Sequence, residues 1–315
     1  MARYLVTGGC GFIGSTLVDA LEAHGHDVRI LDNLTTGKRS NVRAQTPLIH
    51  ADVCDRLAVR AAMEGVDGCF HLAAIASVER SCLDWSGTHE VNLHGFINVL
   101  EAAAEANRRR YVPVVYASSA AVYGDPASAP VDESCRPAPI TAYAADKLAC
   151  ELHARVGALV HRIPSVGLRF FNVYGPRQDP SSPYSGVISI FADRLRRRRE
   201  VTIFGDGQQT RDFVFVGDVV AALTAAMERA SLEPHVFNVC TGRPTSVQAL
   251  VETLSTILGV KPAIAHRSAR PGDIRTSVGD PSRLLRHLSV SARVALADGL
   301  RQTLTWMDEA EPAHP

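Results

Sequence analysis

The 315-residue chain contains no run of about 18 uninterrupted apolar residues, the least that a helix crossing a bilayer needs. Neither sign of charge is in excess, since 33 Lys and Arg stand against 33 Asp and Glu. A nucleic-acid backbone or an anionic membrane surface would have nothing broad to bind, so neither is expected as a partner, and any bound anion must be held by local groups. The seven cysteines are an odd number and form no C-x-x-C pair, which suggests reduced, mostly buried thiols and neither a disulfide framework nor a zinc ribbon. Among the twelve histidines there is no H-E-x-x-H and no carboxylate-rich loop, so no metal is expected. Internal repeats and low-complexity linkers are missing as well. The opening MARYLVTGGCGFIG is apolar only briefly before glycines break it, so it reads as a strand and a turn, not as a signal peptide, and a cytoplasmic location is expected.

What is there is ordinary globular material, 46% hydrophobic and 21% charged. Short runs rich in Val, Ile, Leu and aromatics predict strands over Tyr4–Thr7, Val28–Leu31, Leu48–His50, Gly68–Leu72, Val112–Ala117 and Val166–Phe170. Between them, helices are predicted over Phe12–Ala23, Leu57–Met63, Thr88–Ala106 and Tyr143–Val160. This alternation implies an α/β fold with a Rossmann-type doubly wound parallel sheet. After about Pro176 the elements become shorter and mixed: a basic helix over Val187–Arg199, a strand over Val201–Phe204, and helices over Asp218–Ala230 and Val247–Leu258. A dinucleotide-binding domain over residues 1–175 is expected, with segments of about 205–240 returning to it. Residues 176–315 then form mainly a smaller, interleaved α/β substrate domain, with a cleft at the carboxyl ends of the strands.

Directly after the first predicted strand comes Gly8-Gly9-Cys10-Gly11-Phe12-Ile13-Gly14. It fits G-x-G-x-x-G through Gly9, Gly11 and Gly14, and G-x-x-G-x-x-G through Gly8, Gly11 and Gly14. Side chains here would keep a pyrophosphate from the helix N-terminus, whose N–H groups and positive dipole end hold it. A glycine cluster alone also serves any tight turn. Here a strand precedes it, a helix follows it, and Asp32 ends the second strand about 20 residues on, where a carboxylate meets a ribose 2′-hydroxyl. An anion at that place would repel a 2′-phosphate and favours NAD over NADP; the nearby Lys38 and Arg39 argue the other way.

With TGGCGFIG, LDNLTTG, ADVCD, HLAA, YASSAAVYG, YAADK, LRFFNVYGPRQ, FGDGQQTRDFVFVGDV and RPGDIR, nearly the whole chain resembles the extended short-chain dehydrogenases/reductases that act on nucleotide sugars, and among them the NAD-dependent UDP-sugar 4-epimerases. The resemblance implies that Phe12 and Ile13 approach NAD beside the glycines. It also implies that Asn33 and Gly37 assist Asp32, that Asp52 and Val53 flank the adenine, and that Leu72, Ala73 and Ala74 line the cofactor. His71 and Cys69 read as a buried strand end.

Tyr143-Ala144-Ala145-Asp146-Lys147 places Tyr143 and Lys147 at i and i+4, on one face of a helix start. A tyrosine hydroxyl titrates near about 10 in water, and an ammonium beside it favours the phenolate, which makes Tyr143 the candidate base. A lone Y-x-x-x-K occurs by chance on amphipathic helices; this one gains weight from Ser118-Ser119 at the end of a preceding strand. The resemblance implies that Ser119 acts, with Ser118 the near alternative. Relatives that dehydrate or decarboxylate the sugar carry an acid just after that hydroxyl, because elimination needs a second acid and base. Ala120 and Ala121 stand there, which leaves alcohol oxidation and its reversal, as in C4 epimerisation through a 4-keto sugar.

At the nucleotide-sugar end the resemblance implies that Asn172 contacts diphosphate and sugar, and that Arg211, Arg270 and Asp273 bind the diphosphate and uridine ribose. Arginine suits phosphate because its planar fork reaches two oxygens at once. Tyr184-Ser185-Gly186-Val187 puts small residues where hexose-restricted relatives use a larger amide. Ala76-Ser77 resembles an acetamido-binding stretch, and Ser277 stands where a bulky Tyr would exclude an N-acetyl group. UDP-GlcNAc and UDP-GalNAc are therefore the expected pair, with UDP-Glc and UDP-Gal also admissible. A UDP-glucuronate or pentose 4-epimerase is the alternative within the class, and a redox-inert dinucleotide-binding scaffold or sensor the alternative outside it. The run Arg194 to Arg199 reads as a solvated helix end, where cations complement the dipole. The resemblance also implies a homodimer, built on the helices predicted at 88–106 and 143–160.

Overall fold

The computed structural model describes residues 1–108, 110–180, 182, 186–269 and 274–310. The first half runs β1 (Arg3–Thr7), α1 (Phe12–Ala23), β2 (Asp27–Asp32), β3 (Leu48–His50), α2 (Arg56–Met63), β4 (Gly68–His71), α3 (Val78–Leu83), α4 (Trp85–His89), α5 (Gly95–Asn107), β5 (Val114–Ser119), α6 (Ala142–His161) and β6 (Ser165–Phe170). The second runs β7 (Asn172–Tyr174), α7 (Val187–Arg196), β8 (Val201–Phe204), β9 (Thr210–Phe215), α8 (Val216–Arg229), β10 (His235–Val239), β11 (Pro244–Ser246), α9 (Val247–Leu258), β12 (Ile264–Arg267), β13 (Thr276–Ser277), α10 (Ser282–Leu288) and α11 (Leu296–Ala310).

Seven strands form one parallel sheet in the order β3-β2-β1-β4-β5-β6-β10. Its central strands are apolar on both faces because helices cover both: Leu5, Val6, Cys69 and Phe70 are fully buried. Leu17 and Val18 of α1 pack with Val219 and Leu223 of α8 and Leu284 of α10 on one face. Met63 of α2, Phe96 and Val99 of α5, and Ala154 of α6 pack on the other. Burying one such side chain fully is worth roughly 1.5–3 kcal/mol, so these two layers carry most of the cohesion. The chain order reverses between β1 and β4, and a crevice opens there beyond the carboxyl ends of the strands. The smaller lobe has β9 at its centre, with β11, β13 and β7 against it, and a separate β8–β12 pair. Phe191 and Leu195 of α7, Leu250 and Leu254 of α9, and Leu304 of α11 fill its core. Segments cross between the lobes, since β10 and α10 belong to the large sheet's layers while β9 and β11 belong to the small one.

Helix ends follow local chemistry. Asp55 caps α2 by accepting from the N–H groups of Leu57 and Ala58, Thr141 caps α6 through Ala144, and Ser246 caps α9, which ends on a left-handed Gly259.

Three local outcomes differ from the sequence pattern. The strand expected at Val112–Ala117 runs from Val114 to Ser119: Pro113 has no N–H to give a ladder, and the far end stays in register with β6, Ser118 opposite Arg169 and Ser119 opposite Phe170. The helix expected over Thr88–Ala106 starts earlier, at Trp85, and is interrupted by a π-helical turn at Glu90–His94. The basic run is not all solvated: the side chain of Arg196 is only 7% exposed and bonds Asp308 and the Met307 carbonyl of α11.

Candidate active site

The glycine turn joins β1 to α1. Gly8 has φ of +70°, and a Cβ there would lie 2.7 Å from the amide nitrogen of Ala73. A Cβ on Gly14 would lie 2.1 Å from the Gly8 carbonyl oxygen, so the turn closes only without side chains. No side chain caps α1, which leaves its first-turn amides facing the crevice. At the end of β2, Asp32 accepts from the N–H groups of Cys10 at 2.9 Å and Leu34 at 2.8 Å. A carboxylate has about four acceptor sites, so capacity for ribose hydroxyls remains. Gly37 is small because a Cβ would come within 2.9 Å of that carboxylate. Lys38 is paired with Asp179 at 2.6 Å, and Arg39 donates to the carbonyls of Arg43, Ala44 and Thr46. Both cations beside Asp32 are therefore engaged. Burial works against the charge of Asp52, but hydrogen bonds from Cys54 and Asn33 hold its pKa below the usual carboxylate range.

These groups line a cavity of about 560 Å³. Every position predicted for the cofactor is on its wall: Gly8, Gly11, Phe12, Ile13 and Gly14 from the turn; Asp32, Asn33 and Gly37 after β2; Asp52 and Val53 after β3; Leu72, Ala73 and Ala74 after β4. Ser119, Tyr143 and Lys147 line the same cavity. Lys147 is 3% exposed; its Nζ donates to the Ala117 carbonyl at 2.9 Å and lies 5.9 Å from the centroid of the Tyr143 ring. Ser119 Oγ accepts from the Ala121 N–H at 3.1 Å, whereas Ser118 Oγ donates to Glu151 at 2.5 Å.

Of the positions predicted for substrate, Ala76, Ser119 and Asn172 line the cavity, while Ser77, Val187, Arg211 and Ser277 are not on its wall. Ser77 caps α3, its Oγ accepting from Arg80 N–H, and Val187 opens α7 next to the wall residue Gly186. Arg211 and Ser277 are cross-strand partners on β9 and β13. Tyr184, Ser185, Arg270 and Asp273 lie outside the described residues. His71 and Cys69 are buried on β4, and burial pushes the His71 pKa down to about 3. His71 Nδ1 bonds Thr7 Oγ1 at 2.9 Å, and the same oxygen accepts from Ala73 N–H at the cavity wall.

Asn92 went unnoticed in the sequence. It lies in the π-helical turn, fully buried, and its amide both donates to the Ile75 carbonyl and accepts from the Ile75 N–H, clamping the loop that carries Ala73 to Ala76. The Asn92 carbonyl accepts from Cys150 Sγ of α6 at 3.3 Å. Its only sequence signal is a polar residue inside an apolar helical pattern. Among the described residues, no group of three or more His, Cys, Asp or Glu could hold a metal ion, and no helix is long and apolar enough to cross a membrane.

A glycine turn at the switch point, a carboxylate closing β2, and a Ser, Tyr and Lys set lining the same cavity define a Rossmann-type dinucleotide enzyme of the alcohol–ketone kind. The chain belongs to the NAD dependent epimerase/dehydratase family, whose model matches residues 4–240. It is 38% identical to the UDP-glucose 4-epimerase of Mycolicibacterium smegmatis over 96% of this chain and 97% of that protein. The UDP-glucose 4-epimerase of Thermus thermophilus, solved with NAD, superposes with a TM-score of 0.90 at 36% identity, covering 98% of this chain and 99% of that one. A UDP-N-acetylglucosamine 4-epimerase from Methanobrevibacter ruminantium, solved with UDP-N-acetylmuramic acid, superposes with a TM-score of 0.92 at 34% identity, with coverage of 98% and 99%.

Proposed function

We propose that the protein is a UDP-sugar 4-epimerase that interconverts UDP-GlcNAc and UDP-GalNAc and also accepts UDP-Glc and UDP-Gal. The observation that carries this reading is the meeting of Ser119, Tyr143 and Lys147 in one cavity, with Ala120 and Ala121 where an eliminating relative would carry acids. The cavity walls suit NAD: the glycine turn and bare α1 terminus for the pyrophosphate, Asp32 for the adenine ribose, and Asp52 and Val53 for the adenine. NAD, when bound, supplies the capacity to take a hydride from C4 and give it back. Tyr143 takes the O4 proton as the C4–H bond breaks and C4=O forms. Lys147 supplies positive charge beside the phenolate form of Tyr143, the form that can take that proton. Ser119 holds O4 by its hydroxyl. Once the 4-keto sugar has turned over and presents its opposite face, Tyr143 would restore the proton to O4.

The N-acetylated pair is favoured by the small residues Ala76 and Ser277, and by the similarity to a UDP-N-acetylglucosamine 4-epimerase. Asn172 contacts the diphosphate and sugar, Arg211, Arg270 and Asp273 hold the diphosphate and uridine ribose, and Ser77 and Val187 border the sugar in this reading. A homodimer in the cytoplasm is part of the proposal. Leu152, Val156, Leu159 and Val160 leave an exposed apolar stripe on α6, one of the two helices expected to pair, and all seven cysteines are unpaired. Separate incubation with UDP-GlcNAc, UDP-Glc and UDP-GlcA, followed by NMR, tests the reading. It expects UDP-GalNAc from the first; turnover of UDP-GlcA alone would make the protein a uronate epimerase, and no epimer from any would refute it.

A further inference from the structure

Behind the reacting groups lies a buried ion pair that the proposed chemistry does not use. Glu151 stands on α6 one turn beyond Lys147 and two beyond Tyr143, so the three side chains share a helix face. Arg169 of β6 grips its carboxylate twice, Nε to Oε1 at 2.8 Å and Nη2 to Oε2 at 2.6 Å. The two side chains are only 6% and 7% exposed. The third member is Ser118, whose Oγ donates to Oε1 at 2.5 Å. Arg169 is itself held in place: it faces Ser118 across the β5–β6 ladder and lies 4.8 Å over the Tyr123 ring, whose hydroxyl donates to Asn238.

A buried ion pair contributes little net stability over apolar packing of the same volume, so its effect is to be sought in geometry. The bidentate fork fixes the carboxylate in both distance and plane. Two successive residues of β5 are thereby tied to two successive turns of α6, Ala117 to Lys147 and Ser118 to Glu151. These ties set how far α6 stands from the end of β5 and how it is rotated about its axis. That relation decides where Tyr143 and Lys147 lie against Ser119.

We infer that Glu151, backed by Arg169, is a positioning residue that acts through Ser118 to hold Ser119 in line with Tyr143 and Lys147. The inference rests on the C4 epimerisation proposed above. Ser118→Ala removes the tie and leaves no charge unpaired. It is expected to lower kcat about tenfold, with KM for the UDP-sugar, NAD content and Tm close to those of the parent, because a misplaced reacting group costs rate more than binding. A purely structural residue would move Tm and leave kcat of the folded fraction alone. Glu151→Gln removes the carboxylate charge, and the double variant is expected to lose no more than the worse single one, since both act through one contact. Losses that multiply in the double variant would overturn the inference, as would a Ser118→Ala enzyme at the parental kcat. Should Glu151→Gln not fold, Ser118→Ala alone decides. A parent that epimerises no UDP-sugar would instead overturn the proposed function itself, and the positioning role for that reaction with it.

Discussion

Ser118 and Ser119 are neighbours on β5, yet their hydroxyls have different partners: Ser118 Oγ donates to a Glu151 carboxylate oxygen, whereas Ser119 Oγ accepts from the Ala121 N–H, and Ser119 lines the cavity. Successive side chains of a strand point to opposite faces, so a single residue of register decides which serine meets the sugar. Ser119→Ala is expected to lower kcat by about 10²–10³, the usual cost of one well-placed donor, against about tenfold for Ser118→Ala. Steady-state kinetics of the two variants check this, and the opposite order would give the contact to Ser118.

His71 provides a pH dependence of stability. Burial, with the Lys147 charge second, depresses its pKa from 6.5 to about 3 in the folded state. Above pH 6.5 the ring is neutral both folded and unfolded and contributes no slope. Below it only the unfolded chain takes the proton, so stability falls as pH drops from about 6.5 toward about 3, by at most about 1.4 kcal/mol per pH unit. Urea unfolding between about pH 5 and 7 should show a steeper loss for the parent than for His71→Gln. Equal slopes would mean that His71 is reached by water.

Asp32→Ala should weaken NAD binding about ten- to a hundredfold and narrow the preference over NADP, because the anion facing the ribose disappears. Lys38 and Arg39 do not compensate, being engaged by Asp179 and by backbone carbonyls. Calorimetric titration with both cofactors measures this; unchanged affinity for the two would remove Asp32 from the ribose site.

Ser277→Tyr should abolish turnover of UDP-GlcNAc and spare that of UDP-Glc, since added bulk excludes the larger C2 substituent while space alone admits the smaller one. Ser277 is half-buried opposite Arg211 at the small sheet. Parental turnover of UDP-GlcNAc in this variant would show that the gate lies elsewhere.

The parts of the site legible in the sequence are local ones. The glycine turn, Asp32 at the end of β2, and Tyr143 with Lys147 one helical turn apart depend on spacing within a single element, and spacing is what a sequence displays. The end of β5 was less legible, because its register comes from pairing with β6, far along the chain. Asn92 was invisible for a related reason: its partner Ile75 belongs to another loop, so the contact that gives the residue its place is not local in the chain. Arg196 misled because its neighbours are cationic and exposed, while its own partner, Asp308, arrives from the last helix. Glu151 and Arg169 carry no local motif as a pair, and only the packing of α6 on β5 and β6 joins them.

The most direct test of C4 epimerisation uses UDP-GlcNAc carrying deuterium at C4. Transfer to bound NAD and back yields UDP-GalNAc with the deuterium still at C4, and Tyr143→Phe at equal NAD content makes that product about 10²–10⁴-fold more slowly, as the loss of a general base requires. Deuterium released to solvent during inversion, or a Tyr143→Phe enzyme working at the parental rate, would contradict it.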